Sequence, residues 1–314
     1  MGHEVAALVA FRGPGAATAR PWRRVAQFVM PKVKKAKPLS ELLRVPEAGI
    51  DLCAVDAAAA PQAPGGKSVT REDWANQAPL LADLQERLFA NGRSGDRRSL
   101  LLVLQGLDSS GKGGTVKHVV GQVDPQGVSI TSFKAPTPEE RRRGFLWRIR
   151  RALPAPGMLG VFDRSHYEDI VTVRVRELAP RSVWSPRYGA IERFEQDLAS
   201  DRMMIVKCFL HISRAEFVER QLARIDDSTK HWKYNPGDLD VYGLWDDYLG
   251  AYGDALARTN PDHAPWYVIP ADRKWYRNWA VTKLLIETLD GLGLDWPKAS
   301  FDVEAERARV QALG

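Results

Sequence analysis

Ser99-Leu-Leu-Leu-Val-Leu-Gln-Gly-Leu-Asp-Ser-Ser-Gly-Lys-Gly-Gly-Thr115 is the stretch on which the fold turns. Its first six residues form an apolar run too short for a helix and bounded by turn residues, which predicts a buried strand over 99–104. Gly106 to Lys112 then fit G-x-x-x-x-G-K, and a helical pattern follows. Strand, glycine-rich loop and helix in this order bring backbone N–H groups together on phosphate oxygens, and Lys112 adds a movable positive charge. The plainer reading, a glycine-rich turn with a solvated lysine, is disfavoured by the strand and helix on either side.

The loop departs from the usual pattern in two places. Position 113 is Gly, where nucleotide triphosphatases place a magnesium-binding Ser or Thr. Asp108 lies inside the loop, where its charge would repel phosphate unless a cation stood between them, so Asp108 is a candidate magnesium ligand. A second carboxylate, Asp163, closes the apolar run Met158-Leu-Gly-Val-Phe162 and so falls at a strand's C-terminal end, the ligand-binding edge of such sheets. Arg164 beside it could neutralise charge on a transferring phosphoryl group. Further on, Ser213-Arg-Ala-Glu216 caps a helix with Arg220 and Arg224 one turn apart, on a stripe expected to turn away from Phe217, Val218, Leu222 and Ile225. The turn-rich, charged residues 226–238 after it read as a mobile lid that delivers arginines to phosphates. His118 and His166 are read as structural, since an anionic phosphate acceptor needs no strong base.

Outward from the loop, apolar runs predict further strands at 129–133, 158–162, 203–212 and 266–269, with helices at 74–91 and 273–290. Thr137-Pro-Glu-Glu140 is a capping box that opens a helix carrying Phe145, Leu146, Trp147 and Ile149. Strands alternating with helices make an α/β protein with a central parallel sheet covered on both faces. Residues 54–70 read as linker. Residues 1–37, with eight Lys/Arg and one acid, read as a flexible basic extension without the h-region of a secretory signal.

The 314 residues hold 45 Lys+Arg against 39 Asp+Glu, a balance of +6 that suits a polyanionic partner only weakly. With 44% hydrophobic and 27% charged residues, the chain belongs to the ordinary globular class, which excludes collagen-like repeats and wholesale disorder. No uncharged apolar run is long enough to span a membrane. Two cysteines, Cys53 and Cys208, make no disulfide framework and point to a reducing, cytoplasmic setting; neither has metal-site spacing to a histidine.

The chain resembles polyphosphate kinase family 2. The resemblance rests on Leu104-Gln-Gly-Leu-Asp-Ser-Ser-Gly-Lys-Gly-Gly114, Pro125-Gln-Gly127, Ser132-Phe-Lys-Ala-Pro136, Phe145-Leu-Trp-Arg148, Asp163-Arg-Ser-His-Tyr-Glu168 and Trp232-Lys-Tyr-Asn-Pro-Gly-Asp238, in this order over about residues 40–300. It implies a P-loop kinase fold, a three-layer sandwich with a helical lid, and magnesium-dependent (or manganese-dependent) phosphoryl transfer between inorganic polyphosphate and nucleotides. On it, residues 38–300 form one kinase domain with a lid at about 213–240, and 301–314 a C-terminal tail. Asp108 and Asp163 correspond to the metal carboxylates, Lys112 and Arg164 to charge stabilisers, and Arg224 with Asp238 to lid residues. The donor chain would lie on Gly106, Ser109, Ser110, Gly111, Lys112, Gly113, Gly114, Thr115, Arg220 and Lys230. The acceptor nucleotide would meet Lys134, Arg148, Tyr167, Glu168 and Asp238. The SFKAP and FLWR segments are most similar to the branch that accepts nucleoside mono- and diphosphates, AMP, ADP and also GDP.

Two rivals stay open on sequence. An ATP-dependent nucleoside-monophosphate kinase shares loop, lid and fold class, but Asp108 and Gly113 argue against ATP as the loop ligand. A nucleic-acid-binding P-loop protein would suit the basic balance, yet the carboxylates at 108 and 163 would repel a bare phosphate backbone. A homodimer or homotetramer without membrane attachment is the expected assembly.

Overall fold

The computed structural model describes residues 37–314, so the expected basic extension lies outside the described residues apart from Lys37. Helix α1 (Lys67–Arg93) leads into β1 (Ser99–Gln105), the phosphate loop and α2 (Lys112–His118). There follow β2 (Val128–Ser132), β3 (Leu159–Asp163), α3 (Arg187–Ser200), β4 (Met203–His211) and α4 (Arg214–Ile225). Then come α5 (Trp245–Arg258), β5 (Trp266–Pro270), α6 (Lys274–Asp290) and α7 (Val303–Gln311).

The five strands form one sheet, ordered β2-β3-β1-β4-β5, with every neighbouring pair parallel. All residues of β1 and β5 are buried. Successive side chains of a strand point to opposite faces, so helices must cover both, and the architecture is the expected three layers. Leu100 to Leu104 are almost inaccessible, and each such aliphatic side chain contributes about 1.5–3 kcal/mol by leaving water. α1 packs along α6, and α3 lies on β4. The outer edge of β5 is sealed by the Val45 N–H, which donates to the Trp266 carbonyl at 2.9 Å.

Three local expectations change. α1 starts at Lys67, inside the expected linker, because its first turns are tied to α6: the Trp74 indole donates to Thr282 Oγ1 (2.9 Å) and the Trp279 indole to Asp73 Oδ2 (2.6 Å). The Thr137–Glu140 capping box forms, but its helix ends at Arg141, and a second short helix covers Trp147–Arg151. Gly144 falls in the break, and its carbonyl accepts from Trp147 N–H at 2.8 Å to start the new turn. The tail 301–314 is mostly helix, capped where Asp302 accepts from the N–H groups of Glu304 and Ala305.

The register places the site. Leu104 in β1 lies opposite Asp163 in β3, so the loop after β1 and the segment after β3 leave the same sheet edge side by side.

Candidate active site

The loop is built around two obligatory glycines, Gly106 (φ +142°, where a side chain would meet the Leu210 carbonyl) and Gly111, and an optional one. Gly111 has φ +105°, and a side chain there would overlap the Arg277 guanidinium. Around Gly113 there is open space, so a Ser or Thr would fit; its absence is chemical, not steric. Lys112 is buried, with Nζ donating to the carbonyls of Gly106 (2.8 Å) and Leu107 (3.1 Å). Burial, then the nearby Arg164 charge, lowers its pKa, while Asp108, Asp163 and Glu168 oppose the shift. Those five groups therefore share one neighbourhood at the mouth of the loop.

Arg164 has φ +64°, a left-handed conformation uncommon outside glycine, held by its N–H donating to the Leu104 carbonyl at 3.0 Å. Its guanidinium pairs with Asp108 and stands 3.8 Å from Glu168 Oε2. The candidate metal ligand Asp108 is thus paired with an internal cation. Among the described residues no three His, Cys, Asp or Glu side chains form a complete metal cage. Magnesium does not need one, because one or two carboxylates with waters and substrate phosphates suffice, and Asp108 with Asp163 offer the hard oxygen donors that fit it.

The helix α4 is turned differently from expectation. Phe217, Arg220 and Gln221 face inward, whereas Val218, Leu222 and Ile225 are exposed. The reason is Arg220: its guanidinium donates to the carbonyls of Ser109 (2.7 Å), Ser110 (3.0 Å), Ala271 (2.5 Å) and Asp272 (3.1 Å), and to Glu216 Oε1 (2.6 Å). With its donors used in this way, Arg220 braces the loop from behind and has nothing left for polyphosphate. Arg224 is less committed, donating to Gln221 Oε1 (3.2 Å) and Asp238 Oδ2 (3.3 Å). Burial, then repulsion from Asp108, raises the pKa of Asp238, which places this lid carboxylate within reach of the loop's charge. Lys230 pairs with Asp227 at 2.7 Å on the lid surface.

Two other expected ligands are also corrected. Thr115 is buried, its N–H and Oγ1 both donating to the Gly111 carbonyl (2.9 and 3.3 Å), so it closes the helix turn and leaves no donor for phosphate. Tyr167 is fully buried, its hydroxyl donating to Glu195 Oε1 (2.8 Å) and accepting from Lys207 Nζ (3.0 Å), so no nucleotide can touch it. His166 joins the same buried cluster, 3.2 Å from Glu195, as a structural residue. On the acceptor side, Arg148 donates to the Lys134 carbonyl (2.7 Å) and Asp169 (3.2 Å) and lies over the Phe133 ring, which fixes the segment bearing Lys134.

The residue that sequence reading missed is Arg277, on the first turn of α6. It is buried, donates from Nε and Nη2 to Asn278 Oδ1 (3.0 and 2.7 Å), and among the described residues its Nη1 has no acceptor. Burial, then the like charge of Arg220, pulls its pKa down to about 9. The same effect spreads along this flank, where burial and neighbouring cations, Arg277 among them, lower His118 and Lys274. The α6 side of the loop thus sets Arg220, Arg277 and Lys274 against Glu216, and the β3 side gathers the carboxylates.

Comparison with known proteins agrees with this geometry. The family model described as Polyphosphate kinase 2 (PPK2) matches residues 66–293. The AMP/ADP-polyphosphate phosphotransferase of Meiothermus ruber is 45% identical over 234 residues, covering 74% of this chain and 86% of its own. The ADP-polyphosphate phosphotransferase of Rhodopseudomonas palustris is 39% identical, covering 71% and 80%. The crystal structure of polyphosphate kinase 2 from Arthrobacter aurescens TC1 superposes with a TM-score of 0.86 at 50% identity, over 89% of this chain and 99% of that one. With the phosphate loop at the same sheet edge as Asp163, these matches make this chain a member of the polyphosphate kinase 2 family.

Proposed function

We propose that this enzyme transfers the terminal phosphoryl group of inorganic polyphosphate to a nucleoside mono- or diphosphate, AMP or ADP and also GDP, reversibly and with a divalent cation bound. The observation that carries the reading is the cation-rich flank in which Arg277 and Lys274 stand beside Arg220 against Glu216, next to a loop that has Gly113 in place of the usual Ser or Thr. A long polyanion without a base satisfies that flank. The names of the Meiothermus ruber and Rhodopseudomonas palustris relatives support the donor and, as acceptors, AMP and ADP.

Asp108 and Asp163 would hold Mg2+, with Mn2+ as a substitute, and the bound cation supplies charge neutralisation on phosphate oxygens. The donor chain lies over the loop N–H groups with Ser109, Ser110 and Lys112 beneath it and Arg277 against one side. Lys134 and its Arg148 support orient the acceptor, whose phosphate oxygen is already anionic and attacks in line without a base. Arg164 offsets charge on the equatorial oxygens, and Arg224 joins when the lid closes and excludes water. Unpaired Cys53 and Cys208 suit a cytoplasmic enzyme, and the exposed apolar side chains of α4 suit a homo-oligomer. Among the described residues no helix is long and apolar enough to cross a membrane.

The test is to incubate AMP, ADP and GDP separately with polyphosphate and Mg2+ and to separate the products by chromatography. ADP from AMP and ATP from ADP are expected; no phosphorylated product from any acceptor refutes the reading.

A further inference from the structure

Gln105 is the last residue of β1, immediately before the phosphate loop, and it is completely buried. A buried amide at the end of a central strand must satisfy both its ends. One orientation does so: the oxygen accepts from Ser165 N–H and Oγ (2.9 Å each), and the nitrogen donates to Glu168 Oε1 (3.0 Å) and Tyr252 Oη (3.2 Å). The reverse orientation would aim the carbonyl at a carboxylate and the NH2 at an N–H. One side chain of the loop strand therefore grips the turn that directly follows Arg164, through Ser165 at its start and Glu168 within it.

Glu168 is the important contact. Its Oε2 accepts from Thr172 Oγ1 (2.6 Å), so Gln105 and Thr172 hold one oxygen each and fix the carboxylate plane. That carboxylate faces Arg164 Nη1 at 3.8 Å, while the other carboxylate partner of Arg164 is Asp108. If Asp108 turns to a metal ion, as the functional reading requires, Arg164 keeps a single anionic partner in this group. Where Glu168 points then decides where Arg164 points, and Gln105 decides where Glu168 points.

We propose that Gln105 is a positioning residue for phosphoryl transfer: by clamping Glu168, it holds the Arg164 guanidinium on the transferring group once Asp108 has been surrendered to the metal. This rests on the proposed function above. It separates Gln105 from the residues that touch donor or acceptor, and so it predicts a loss in turnover without a loss in substrate affinity. Arg164 stays charged throughout; only its direction is at stake.

The experiment is a double-mutant cycle on the full-length enzyme with Gln105→Met, Glu168→Gln and the double variant, following ATP formation from ADP, polyphosphate and Mg2+. Methionine keeps the length and suits the buried strand, so folding is checked by thermal melting; should it fail to fold, Gln105→Asn takes its place, with an amide too short to reach Glu168. Loss of one hydrogen bond to a charged group predicts a kcat about 10- to 100-fold lower, with both KM values within about twofold. The double variant should be no slower than Glu168→Gln alone. Tyr252→Phe, which removes the other partner of the same amide nitrogen, should retain kcat within about threefold. In the Mg2+-loaded protein, the Arg164 15Nε–1H resonance should be sharp in wild type and exchange-broadened in Gln105→Met. Losses that multiply in the double variant, a Tyr252→Phe loss as large as that of Gln105→Met, or a KM effect with kcat intact would each overturn the proposal in an active enzyme. A wild type that makes no ATP from polyphosphate would instead overturn the functional reading itself.

Discussion

Replacing Arg277 with methionine should make the ligand-free protein more stable and its hold on polyphosphate weaker. The side chain is buried against Gly111 and Gly114, beside Arg220, and its Nη1 has no acceptor among the described residues. Its proton affinity falls from the ordinary range above 12 to about 9, first through burial and then through the Arg220 charge. At about 1.4 kcal/mol per decade, the charged group costs the fold at most roughly 4–5 kcal/mol. The group is charged at every pH below about 9, so the cost is present in full at neutral pH. Lost bonds to Asn278 and altered packing would offset about half of it, leaving about 2 kcal/mol of stabilisation and a Tm higher by roughly 3 °C. A bound polyanion relieves the same cost in wild type, so polyphosphate should raise the wild-type Tm more than that of Arg277→Met. Differential scanning fluorimetry with and without polyphosphate reads both effects. Arg220→Met is the contrast: it strips four loop carbonyls of their donor and should destabilise by about 3 kcal/mol. If Arg277→Met lowers the ligand-free Tm, or leaves the polyphosphate-induced rise unchanged, Arg277 is a second brace like Arg220 and the electrostatic argument for the donor flank fails.

Asp108→Asn and Asp163→Asn should each lower turnover by about two or more orders of magnitude with little change in Tm; near-normal turnover at limiting Mg2+ would remove that residue from the metal site. Arg224→Ala should depress mainly kcat, because lid contacts form late, whereas Lys112→Ala should also raise the polyphosphate KM; steady-state kinetics at saturating ADP separate the two, and a pure KM effect in Arg224→Ala would contradict lid closure. Glu195 is fully buried, yet the Lys207 charge and His166 hold its carboxyl below the ordinary carboxylate range. Its contribution to stability is therefore present above pH about 4 and lost as the pH falls through the lower folded value, so Lys207→Met should cost about 3–5 kcal/mol in urea melts at pH 7 and less at pH 3.

The strands were legible because each is a short apolar run between turn residues, and the Leu104–Asp163 register follows from the two motifs ending their strands. The loop, the capping box at Thr137, the Ser213 N-cap and the placement of Asp163 at its strand end were legible for the same reason: each signal is local. What escaped is what tertiary contacts decide. Arg220 points inward because four backbone carbonyls await it, although its helix reads as a solvated basic stripe. Tyr167 lies in the Asp163–Glu168 motif, which led to its expected place beside the acceptor, yet its hydroxyl is drawn into the core by Glu195 and Lys207. Arg277 stands in a charged helix start with no local sign that it reaches the loop.

The most direct test of the central claim is the choice of donor. Purified protein would be given ADP with polyphosphate and Mg2+, and in parallel ATP with AMP and Mg2+ but no polyphosphate, with nucleotides resolved by anion-exchange chromatography. The account predicts ATP in the first mixture, formed at the expense of polyphosphate, and little direct transfer in the second. Equal or faster ADP formation from ATP and AMP would contradict it and make the loop an ordinary ATP site.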